Sequence, residues 1–66
     1  MSSLIMVAED IDHVSLHLGE AQDALAQLIL YVRFLKREKV AMRLEKVMKT
    51  IEDAQSLLRD VKKKLA

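Results

Sequence analysis

The chain is expected to be all-α: an antiparallel two-helix hairpin that dimerises into a four-helix bundle. Three observations predict this. Apolar residues recur at alternating spacings of three and four along nearly all of its 66 residues, the mark of amphipathic helix. That rhythm slips once, between Leu35 and Val40. Finally, a chain this short with no cysteine lies near the limit of autonomous stability and has no disulfide to help it. A partner is the remaining source of burial.

The first helix is placed at about residues 3–35. Leu4, Val7, Ile11, Val14, Leu18, Ala21, Leu25, Leu28, Val32 and Leu35 form a seam with no polar interruption. Ser2 or Ser3 can cap it. Gly19 falls between Leu18 and Ala21, which stay in phase, so the helix should continue through it with Gly19 outside. That costs about 1 kcal/mol. A break at Gly19, giving three helices, is the alternative.

The turn is placed at residues 36–39. The five-residue step from Leu35 to Val40 would rotate the stripe by about 140° on a continuous helix, leaving two seams on nearly opposite faces. A hairpin brings them together within the short loops usual for paired helices. Lys36-Arg37-Glu38-Lys39 nevertheless contains no Gly, Pro, Asn or Asp, so a long kinked helix is the competing architecture.

The second helix, at about residues 40–65, carries the seam Val40, Leu44, Val47, Ile51, Ala54, Leu58, Val61 and Leu65. Ala54-Gln55 in this helix repeats the phase of Ala21-Gln22 in the first. The whole chain, residues 1–66, is thus one helical-hairpin domain.

Composition narrows the function. The absence of Cys excludes thiolate metal sites, and one Gly with no Pro leaves little for a turn-rich β fold. No apolar run approaches the ~20 residues a bilayer span needs, and no basic residue precedes the apolar start, as a secretory signal would have. A cytoplasmic protein is expected. The net charge of +1 hides segregation: residues 1–32 hold five acids and no Lys or Arg, while all eleven bases lie from Arg33 onward. Acids early and bases late suit the helix dipole and an acidic helix beside a basic one.

The segment Leu28-Ile29-Leu30-Tyr31-Val32-Arg33-Phe34-Leu35 is apolar nearly all round, more than one partner helix can cover. Leu28, Ile29, Leu30, Tyr31 and Phe34, with Met48 and Leu57 in the second helix, are therefore the expected assembly interface. A second copy of the chain is the expected occupant, with a helix of another protein as the alternative. Arg33, Lys36, Arg37, Lys39, Arg43 and Lys46 crowd the turn and offer a rival function, binding nucleic acid or another anionic surface. Asp10, His13, His17 and Glu20, spaced three, four and three, form a minor candidate for a divalent metal. No cofactor motif, phosphate loop or base-partnered nucleophile occurs in the sequence, and no enzymatic activity is expected. The expected function is a small non-catalytic interaction or oligomerisation module, such as a regulator, adaptor or chaperone-like protein.

Overall fold

A computed structural model describes residues 2–65. It contains two helices, α1 (Ser2–Phe34) and α2 (Glu38–Leu65), packed side by side in a slab of 52 × 15 × 10 Å. α1 runs unbroken through Gly19 and already includes both Ser2 and Ser3. At ~1.5 Å per residue its 33 residues span about 50 Å, the length of the molecule.

The turn, residues 35–37, is shorter and earlier than expected, and backbone hydrogen bonds explain why it needs no glycine to close. The Lys36 N–H donates to the Arg33 carbonyl (2.8 Å) and the Arg37 N–H to the Val32 carbonyl (3.1 Å). These two bonds are the paired 5→2 and 6→1 closures of a Schellman motif. The motif requires a left-handed residue, and Lys36 supplies it at φ 61°. The Arg37 carbonyl then accepts from Ala41 (3.0 Å), starting α2 in the same stroke. Glu38 places a carboxylate in the first turn of α2, and Lys62, Lys63 and Lys64 place cations in its last, both in accord with the helix dipole.

Every second member of each seam lies one residue later than expected, which turns the stripe by about 50°. In α1, Ile11, Leu18, Leu25 and Val32 face α2 as expected, but Ala8, Ser15, Gln22 and Ile29 complete the stripe in place of Val7, Val14, Ala21 and Leu28. In α2, Leu44, Ile51 and Leu58 are joined by Ala41, Met48 and Gln55, while Val40, Val47 and Val61 stay exposed. The reason is space. A three-residue turn pins the axes together, and position 41, fully buried, accepts Ala where a β-branched neighbour would force the helices apart. Ile29, Val32 and Ala41 form the buried core, with Leu25, Leu44 and Met48 packed against it.

The expected seam had no polar member; the observed one has three. The Ser15 hydroxyl donates to Gln55 Oε1 (2.6 Å), and Gln55 Nε2 donates to the Ser15 carbonyl (2.9 Å) and, at a longer 3.4 Å, to Gln22 Oε1. The glutamines of the two Ala-Gln pairs that echo one another in sequence therefore meet in the middle of the hairpin. Gly19 lies beside this layer, half-buried rather than outside.

Candidate interaction surface

A hairpin one layer thick has two broad faces, and here they differ in kind. With about 100° between successive residues, Val7, Val14, Ala21 and Leu28 lie about 80° to one side of the line joining the helix axes. Because α2 runs the other way, Val40, Val47, Ala54 and Val61 project about 80° to that same side. Leu35 continues the row across the turn. Val7, Val14, Leu28, Leu35, Val40, Val47 and Val61 are each 44–49% exposed. Such uniform half-exposure means that the hairpin covers one flank of each side chain and leaves the other open. Tyr31 and Leu57 extend this face at its rim, 61% and 64% exposed.

The opposite face carries Asp12, Arg33, Glu45, Glu52 and Arg59. Arg33 pairs with Glu45 and, at 3.8 Å, with Glu38. Lys62 donates to Asp12 at 2.6 Å, tying the open end of the hairpin. These pairs are solvent-facing and contribute little each, but they cover one side of the slab with polar groups. No comparable pair crosses the apolar side among the described residues.

The expected interface residues divide three ways. Leu28, Tyr31 and Leu57 stand on the apolar face. Ile29 is buried inside the hairpin, and Met48 is half-buried against it, so neither is presented outward. Leu30 and Phe34 are 68% and 80% exposed and lie round the back of α1, Phe34 pointing away from α2. Sequence reasoning missed Val7, Val14, Val40, Val47 and Val61 as surface residues because it spent them on the seam. The neighbouring set Ala8, Ser15, Ala41 and Gln55, small or amide-bearing, was the available signal for a closer packing line.

No known family, curated protein or solved structure matches this chain.

The other candidate sites are less assembled. Among the basic residues at the turn, Arg33 is engaged by its two carboxylates. Lys36, Arg37, Lys39, Arg43 and Lys46 make no ion pair among the described residues, and Lys39, Arg43 and Lys46 line a shallow groove with Met42. Lys49 binds Asp53 at 3.0 Å, and that hydrogen bond, with the charge behind it, raises the lysine above its ordinary 10.5. Of the four candidate metal ligands, His17 Nδ1 and Glu20 Oε1 meet at 2.9 Å. Among the described residues no three His, Asp or Glu side chains gather around one point. Ser15 donates its hydroxyl to an amide, which is no base, so it is held as a structural group rather than activated as a nucleophile. No helix among the described residues is long and apolar enough to cross a membrane.

Proposed function

We propose that this protein is a small non-catalytic helical interaction module whose primary partner is a second copy of itself, giving a four-helix bundle. One observation carries this reading: a two-helix slab with an aliphatic face formed by both helices and an ion-paired face behind it. Aliphatic side chains left half-exposed in a continuous row mark a surface that is covered in the working state. Area supports it. A compact chain of 7.6 kDa exposes about 4,300 Å², whereas the hairpin exposes 5490 Å². The excess over two copies, about 2,400 Å², matches the burial of an obligate homodimer. A regulator, adaptor or chaperone-like role follows naturally from such a module. Multi-angle light scattering at micromolar concentration should return about twice the 7.6 kDa chain mass. A monodisperse monomer would remove the reading, and would leave a helix from another protein as the occupant.

A second reading rests on the cations at the turn that make no ion pair among the described residues. Lys36, Arg37, Lys39, Arg43 and Lys46 concentrate positive charge at one pole, which suits nucleic acid or another polyanion. Duplex DNA should then shift the protein's mobility at low salt, lose that effect steeply as salt rises, and fail to shift Arg37→Glu/Arg43→Glu.

A further inference from the structure

Two hairpins can meet through these apolar faces in two symmetric ways, and the charges discriminate between them. If the two-fold axis crosses the helices, the turns sit at opposite ends and α1 lies on the partner's α1. If the axis runs along the helices, the turns share an end and α1 lies on the partner's α2. We infer that the second copy docks in the latter way, with both turns at one pole and every helix antiparallel to its two neighbours. This inference rests on the self-association proposed above and specifies its geometry.

The charge of whole helices favours the shared pole. α1 has five acids and one base, and α2 has eight bases and five acids; setting aside the pairs within the hairpin (Arg33 with Glu38 and Glu45, Asp12 with Lys62) leaves α1 acidic and α2 basic. The crossing axis sets the acidic helix on the acidic helix and the basic on the basic. The parallel axis sets helices of opposite net sign together at both contacts, with Asp10 and Asp12 level with Lys64 and Lys62 at the open end. Like signs in register are penalised more than opposite signs are rewarded, so this term selects orientation.

Local pairs on the rim point the same way. α1 rises as α2 descends, and the Asp12–Lys62 contact fixes which residues share a height. By the same count Asp10 stands level with Lys64, and Tyr31 with Arg43. All four lie on the outer rim of the apolar face, and rotation about an axis along the helices preserves height. Asp10 of one copy then meets Lys64 of the other, and Tyr31 meets Arg43, an ion pair and a cation–ring contact that each occur twice. The crossing axis sends each of these four residues to a different height and makes neither pair. The one opposing effect is the approach of two basic turns. Those cations project into water at the pole, where salt screens them over about 8–10 Å.

The chain lacks cysteine, so Lys36→Cys carries a single spin label per copy at the turn. Pulsed electron–electron resonance on the dimer should give a distance under about 30 Å, since neighbouring helix axes lie ~10 Å apart. A distance near the 52 Å length of the slab would overturn the shared-pole arrangement while leaving self-association standing. Absence of a dipolar signal, with light scattering at monomer mass, would instead remove the self-association reading. Charge exchange gives an independent arm. Asp10→Lys and Lys64→Asp should each weaken self-association about fivefold, and the double variant should restore it. Single variants that weaken it without restoration in the double would overturn the pairing.

Discussion

Lys36 is the residue on which the hairpin turns, and it is chemically miscast there. A left-handed φ of 61° brings the side chain of any L-residue with a Cβ toward its own carbonyl, at roughly 1–2 kcal/mol. Glycine escapes that cost and is the usual occupant of the position. Lys36→Gly should therefore raise unfolding free energy by about 1 kcal/mol in urea denaturation with no change in helix content. Gly19 presents the reverse case. An added Cβ there would approach only Gln55 Nε2, at 4.0 Å, and the residue sits mid-helix. Gly19→Ala should add about 0.5–1 kcal/mol by reducing the freedom of the unfolded chain. The Lys49–Asp53 pair carries its own signature. Because the lysine is raised when folded, its contribution is intact at neutral pH and declines only as pH climbs past 10.5.

At the scale of the helices, much was legible and one thing was not. Both helices announced themselves, since alternating spacings of three and four over tens of residues admit no other regular structure. The turn was found within two residues, although Lys36 and Arg37 carry no turn chemistry; its closure is made by backbone bonds that no side chain advertises. The rotation of the seam escaped. Periodicity identifies the most apolar line on a helix, whereas a tight turn selects the line that lets the axes approach. Ala41 and Ser15 serve closeness, and Gln55 then satisfies the polar groups that closeness buries. Removing that satisfaction should be costly: Gln55→Ala is expected to lower unfolding free energy by about 1–1.5 kcal/mol, leaving the Ser15 hydroxyl without its acceptor. The candidate face inherited the same displacement: Leu28, Tyr31 and Leu57 stand on it, and the valine row beside them had been assigned to the seam.

For the whole molecule, the rotated seam separates two kinds of apolar residue that composition alone lumps together. Leu28 is 45% exposed on the aliphatic face, whereas Phe34, larger and 80% exposed, points behind it. Under the proposed assembly, Leu28→Asp should abolish dimerisation in sedimentation equilibrium, because four helices would have to bury two carboxylates. Phe34→Asp should leave it within about twofold, since surface changes away from a contact fall within about 0.5 kcal/mol. Reversal of that order would move the interface to the back of α1. The distribution of burial also has a temporal meaning. Ile29, Val32 and Ala41 are neighbours of the turn, while the far end is held by the solvent-facing Lys62–Asp12 contact. Pairings next to the turn close the shortest loops, on the order of 10–100 ns, and lose the least chain entropy. The hairpin should accordingly zip from residues 29–41 outward, and amide exchange should slow progressively from the ends of the chain toward that nucleus.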